Sequence, residues 1–254
     1  MVSMAVPDAV RSLERDLKEI FGSRLRSFVV YAMHRAGDRH DDHAGHAHRA
    51  PPVRTLAVVD SLTLDDLRAG ARRLEAWHGD GLATPLVVAA PELARSLDVF
   101  PLEFSAIAAD HIVVSGEDVF ASLAVDSADV RRACEVQARS HLLHLREGFL
   151  ETGGRGDALS LLILQSAPAF AALLTSLARL DGHSGVDAAA SARHIERMLN
   201  VVGDGAAAGG VASDVVKLSH AHDLSSAEGE RLFAPYLAIV EKLVNYVDGW
   251  NREK

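Results

Sequence analysis

Six residues able to ligate a transition metal crowd into nine positions: His40, Asp41, Asp42, His43, His46 and His48. Five of the chain's 13 histidines fall between His34 and His48. Imidazole suits Zn²⁺, Ni²⁺ or Cu²⁺. His43 and His46, three apart, can chelate within a turn, and His46 with His48 within an extended piece. One reading is therefore a Zn²⁺ or Ni²⁺ site built from His40, Asp42, His43, His46 and His48. The other is a solvated insertion. Alanine and glycine fill the gaps, and the local sequence offers nothing to hold the second ring nitrogen of each histidine.

A second constellation is His141, His144 and Glu147, spaced i, i+3, i+6. On a helix the three fan across about 120°, with each neighbouring pair in reach. A metal site there needs ligands from other helices. His194, His220, His222 and Asp214 are available, but the sequence does not say where they lie; a solvated helix face is the alternative. Arg139 and His144 resemble the Arg-x4–6-His pattern of the HEPN ribonucleases. Residues five apart on an unbroken helix point about 140° away from each other, so that chemistry requires the helix to break. Cys134 follows Arg131 and Arg132, which would favour a thiolate if the sulfur were exposed; a buried structural cysteine is the simpler expectation. Trp77 and Trp250 read as packing residues near helix ends. There is no Walker loop, no GxSxG elbow and no GxGxxG turn.

These residues must be held by an ordered set of elements. Val10, Leu13, Leu17, Ile20 and Phe21 recur at helical spacing, predicting a helix over 7–21 that Gly22 can end. The apolar, β-branched run 25–33 predicts a strand, and 53–60 and 84–91 predict two more. Between the last two, Ser61 or Thr63 can cap a helix over 64–77. A short helix is predicted over 91–97, then one or two strands over 101–110 and 111–118. After about residue 124 strand-like runs stop, and helices are expected near 127–151, 157–180, 187–201, 211–222 and 226–249. The organisation expected is a domain over 1–124 and a helical bundle over 125–254, an α+β chain in which a mixed sheet flanked by helices precedes an all-α part.

Composition narrows the function. The net charge of −9 argues against an extended nucleic-acid surface. One cysteine excludes a disulfide within the chain. The N-terminal stretch lacks the basic and apolar regions of a signal peptide. Residues 158–178 carry no charge over about the span of a bilayer. They are read as a helix buried by its neighbours, because the other helices are amphipathic and need a central partner. A cytoplasmic location, with no membrane, is expected.

The order of helix, strand ending in Tyr-x-x-x-x-x-Gly-Asp, loop and second strand resembles the nucleotidyltransferase superfamily, the DNA polymerase β-like fold. In that family an aromatic residue ends the first strand and Gly-Ser follows, often with Ala-Arg-Gly-Asp. The second strand begins with Asp-x-Asp, and a third carboxylate sits on a later strand. Glycine lets the backbone approach the triphosphate, and serine bonds it. The carboxylates hold two Mg²⁺ ions that clamp the attacking and leaving oxygens.

On that pattern Tyr31 takes the aromatic position, and Gly37 and Asp38 match Gly-Asp. Ala32 and Met33 stand where Gly-Ser would be, and Arg35-Ala36 reverses Ala-Arg. Val53 and Thr55 stand in the Asp-x-Asp slot. Glu103, in "LEF", keeps a carboxylate where the third would lie. The resemblance implies a nucleotide-binding end made by Tyr31, Ala32, Met33, Gly37 and Asp38, with Glu103 as a vestigial catalytic carboxylate. It also implies an impaired enzyme kept for binding a nucleotide or a protein partner, since valine and threonine cannot hold Mg²⁺ as aspartates do. Two alternatives stand: a divergent, active Mg²⁺-dependent nucleotidyltransferase, and a metal-binding protein that uses loop 34–48. The active reading needs at least two further carboxylates within about 4–6 Å of Glu103, close enough to share metal ions; Asp60, or Asp41 and Asp42, would supply them if the register were shifted.

Overall fold

The computed structural model describes residues 6–31, 52–183, 187–200 and 210–250. The chain divides into two compact units, Met1–Val125 and Asp126–Lys254.

In the first unit α1, Asp8–Phe21, buries Val10, Leu13, Leu17 and Phe21 on one stripe. It stops at Gly22, whose φ of 56° returns its N–H to the Lys18 carbonyl. A 3-10 turn leads into β1, Leu25–Tyr31, and β2 follows at Arg54–Val59. The helix expected over 64–77 forms as two pieces, α2 (Leu64–Ala71) and α3 (Leu74–Gly79). Thr63 caps α2 by a reciprocal box with Asp66. The break at Arg72–Arg73 has visible causes. Gly70 weakens the last turn of α2. The Arg73 guanidinium binds the Asp16 carbonyl at 3.0 Å and Glu19 at 2.8 Å, fixing the start of α3 on α1. Trp77 then donates its indole N–H to Asp16 at 2.8 Å.

After β3, Leu86–Ala89, come α4, Ala90–Ser96, and α5, Pro101–Ala109. The strand expected over 101–110 is thus a helix. Proline suits the first helical position, and Pro101, Phe104 and Ile107 bury themselves at three-residue spacing, which a strand of period two could not do. The edge strand β4, His111–Gly116, completes a sheet of order β3-β2-β1-β4. β1 pairs antiparallel with β2 and with β4, and β2 runs parallel to β3. The sheet is mixed and covered on both faces. Phe28, Val30, Ala57 and Val59 pack with α1 and Trp77; Val29, Leu56 and Val58 pack with Leu93, Phe104 and Ile107 of α4 and α5.

The second unit holds α6 (Ser127–Thr152), α7 (Gly156–Leu180), α8 (Ala188–Met198), α9 (Val211–Lys217) and α10 (Ser226–Gly249). α7 contains the uncharged run and is long and apolar enough to cross a membrane. In the fold it is the central helix, in contact with α6, α8, α9 and α10. Leu159, Ile163, Ala167, Phe170, Leu174 and Leu177 are buried along it.

Candidate functional site

The end of β1 gathers side chains that the sequence scatters. In the sheet register Tyr31 lies opposite Arg54 on one side and His111 on the other. Directly opposed residues in an antiparallel pair share a face, so all three look toward the α4–α5 side. Tyr31 is partly buried and Arg54 is exposed. Burial pushes the Tyr31 phenol above its ordinary pKa; the positive charge of Arg54 pulls it back, and the negative charge of Glu103 pushes it further up. Glu103 therefore sits within electrostatic reach of Tyr31, but from the exposed side of α5 and not from a strand.

His111 is held on both nitrogens. Nδ1 faces the carbonyls of Ile107 and Ala108 at 3.1 and 3.2 Å, and Nε2 faces the Asp118 carboxylate at 3.1 Å. The ring also leans on Phe120, centroid to centroid 5.1 Å. Asp118 accepts the Phe120 N–H as well, capping the 3-10 turn Val119–Ala121. With an oxygen facing each nitrogen, the ring plane is fixed from both sides. His111 thus acts as a clasp joining α5, β4 and this turn.

The Asp-x-Asp slot lies differently. Alternation along β2 sends Thr55, Ala57 and Val59 to the α1 face and Arg54, Leu56 and Val58 to the other. Thr55 is 1% exposed, and its hydroxyl has no hydrogen-bond partner among the described residues. Val53 packs against the α1-side core and is fixed by backbone bonds, Val53 N–H to Gly81 O at 3.0 Å and Ala83 N–H to Val53 O at 2.9 Å. Val53 has no ligating side-chain atom, and the Thr55 hydroxyl is buried on the side of the sheet that packs under α1. Asp60 lies at the other end of β2, 3.7 Å from Arg26. Among the described residues, no three His, Cys, Asp or Glu side chains are placed to hold a metal ion.

The remaining sequence candidates separate. Ala32, Met33, Gly37, Asp38, His40, Asp41, Asp42, His43, His46 and His48 lie outside the described residues. His141 turns inward: its Nε2 is 2.6 Å from the Tyr236 hydroxyl, which also meets Ser166 at 3.2 Å. Its ring stacks on Phe170. Burial, with the nearby His144, lowers its pKa to about 4. His144 and Glu147 stay on the surface, 3.5 Å apart, so the three do not converge. Arg139 pairs with Asp248 and Glu135 on an unbroken α6, so it and His144 do not meet. Cys134 is fully buried, and burial pushes its thiol up to about 12. Trp250 packs edge-on against Tyr246.

Sequence reasoning missed Arg54, His111 and Asp118, which meet Tyr31 or its neighbours only through strand pairing across long loops. It also missed Glu196. This carboxylate is 3% exposed and accepts from Gly210 N–H, Ser213 N–H and Ser213 Oγ at 3.2, 3.0 and 3.0 Å. A lone glutamate amid Arg-His-Ile-Glu-Arg gives no sign of that role.

No protein-family model and no curated protein sequence matches the chain. Among solved structures it is similar to spectinomycin adenyltransferase AAD(9) from Enterococcus faecialis, solved with ATP and spectinomycin. The similarity spans 93% of this chain and 98% of that one, with a TM-score of 0.55 and 8% sequence identity. The chain carries a nucleotidyltransferase fold. At 8% identity the likeness concerns the fold and not the chemistry.

Proposed function

We propose that this chain is a nucleotidyltransferase-fold protein that does not carry out Mg²⁺-dependent transfer and binds a nucleotide or a protein partner in the cytoplasm. One observation carries the reading. The two residues in the metal-holding slot are turned into the core under α1, with Thr55 at 1% exposure, while the residue between them presents a cation. A site that must clamp two Mg²⁺ ions needs carboxylates facing the substrate. The start of β2 offers an arginine beside an aromatic residue, which suits a phosphate and a base better than a metal pair. The ATP bound to the adenyltransferase of like fold supports a nucleotide as the ligand.

Two measurements test this. Incubated with Mg²⁺ and each NTP, the protein should release no pyrophosphate above the buffer rate; sustained turnover would establish the divergent active enzyme instead. Calorimetric titration with ATP should show binding that Arg54→Ala weakens by about tenfold, the loss of one charge-assisted contact. If no nucleotide binds, the protein-partner arm of the proposal remains to be measured by pull-down with the Arg54→Ala variant as its control, and equal capture by both forms would exclude this end of the sheet as the site.

A further inference from the structure

On the opposite face of the sheet from Tyr31, the first unit has an apolar pocket of about 180 Å³. Leu17 and Phe21 of α1, Leu67 and Gly70 of α2, Trp77 of α3 and Val87 of β3 line it. Leu67 is 49% exposed, so the pocket reaches the surface there. Among the described residues its one charged lining residue, Asp66, is already engaged: Arg24 grips both carboxylate oxygens at 2.7 and 2.8 Å, and Thr63 donates to it from its backbone and its hydroxyl. The described lining residues have no spare charge to offer a ligand.

Gly70 supplies an independent observation. Its backbone is helical, and a methyl group there would meet Trp77 at 3.6 Å, an ordinary contact. Alanine would fit and would favour the helix. Nothing in the packing requires glycine; what glycine does is leave space in front of the indole edge.

We infer that this pocket is a binding site for a neutral aromatic molecule of one ring. The volume points to that class: an apolar cavity of about 150 Å³ stays dry and accepts benzene. The lining chemistry points the same way, since Trp77 and Phe21 contribute aromatic ring atoms to an otherwise aliphatic wall. A charged ring would be stripped of water with no counter-ion available.

The test uses the full chain with Trp250→Phe, which leaves Trp77 as the sole tryptophan, since the chain has two. Fluorobenzene, followed by ligand ¹⁹F NMR and by Trp77 emission, should bind saturably, and 4-fluorobenzoate should bind at least tenfold more weakly. Gly70→Leu should abolish the binding while unfolding at the same or a higher temperature. Should Gly70→Leu fail to fold, Leu67→Trp at the mouth serves the same purpose. Absence of saturation with fluorobenzene, equal affinity for the benzoate, or unchanged binding in a folded filled-pocket variant overturns the inference. None of these results bears on nucleotide binding at Tyr31.

Discussion

Thr55 carries a hydroxyl into the layer beneath α1, where none of the described residues accepts from it or donates to it. A buried hydroxyl without a partner costs about 1–3 kcal/mol. Thr55→Val keeps the shape and removes that cost, so it should raise the unfolding free energy in urea by about 1 kcal/mol. Thr55→Asp, which restores the aspartate of the slot, should lower it by more than about 3 kcal/mol, because the carboxylate would enter an apolar layer. If Thr55→Asp is neutral, the side chain points elsewhere. His141 sets a pH dependence of a definite sign. Its pKa is lowered to about 4 in the folded protein, from an ordinary value of 6.5. The unfolded chain thus takes up a proton that the folded one refuses, and stability present above pH 6.5 is lost as pH falls toward 4. The loss should reach about 3 kcal/mol by the conversion of 1.36 kcal/mol per pKa unit. Urea unfolding of the parent and of His141→Phe between pH 7 and 4 checks this: the variant should have the flatter profile, and parallel profiles would sink the assignment. At this scale the identities of Val53 and Thr55 could be read from the sequence, while the face that Thr55 shares with Ala57 and Val59 became visible with the strand and its two cores. The company kept by Tyr31 was not legible, because Arg54 and His111 reach it only through long-range pairing.

At the scale of elements, α9 depends on a carboxylate from α8. Glu196 accepts at the start of α9 from Gly210 N–H, Ser213 N–H and Ser213 Oγ while almost fully buried. Glu196→Gln swaps one acceptor oxygen for a donor facing donors, and should cost about 2 kcal/mol, while Ser213→Ala should cost about 1 kcal/mol. Equal costs would mean that the backbone bonds contribute nothing. The elements themselves were largely readable. α1, the first three strands and the long helices follow from periodicity and caps. The misreading of 101–110 has a physical origin: in "PLEFSAIAAD" apolar residues stand at both helical and strand spacings, so periodicity alone could not choose, and only Pro101 favoured a helix. That misreading put Glu103 on a strand. On α5 it acts on Tyr31 from a neighbouring helix, and a register argument for its role no longer applies.

For the molecule as a whole, the double variant Val53→Asp, Thr55→Asp is the most direct challenge to the proposed function. If the slot faces the core, this variant should show no Mg²⁺-dependent pyrophosphate release and should be less stable than the parent; activity in a folded double variant would show that the two positions face substrate. The overall class, a mixed sheet followed by helices, could be read from where strand-like runs stop, whereas the pocket under Trp77 could not, since its walls come from α1, α2, α3 and β3. The strand order carries one more consequence. β1 is central, yet its partner β4 begins about 80 residues after β1 ends, and β2 joins β3 only by a parallel crossover. Such pairings must close long loops before any bond rewards them, and they slow folding. Several of the contacts that build α6–α10 join helices adjacent in the chain. In a refolding experiment protection of amides in α6 and α7 should therefore precede protection in β1, so that the half of the protein synthesised first acquires its structure last.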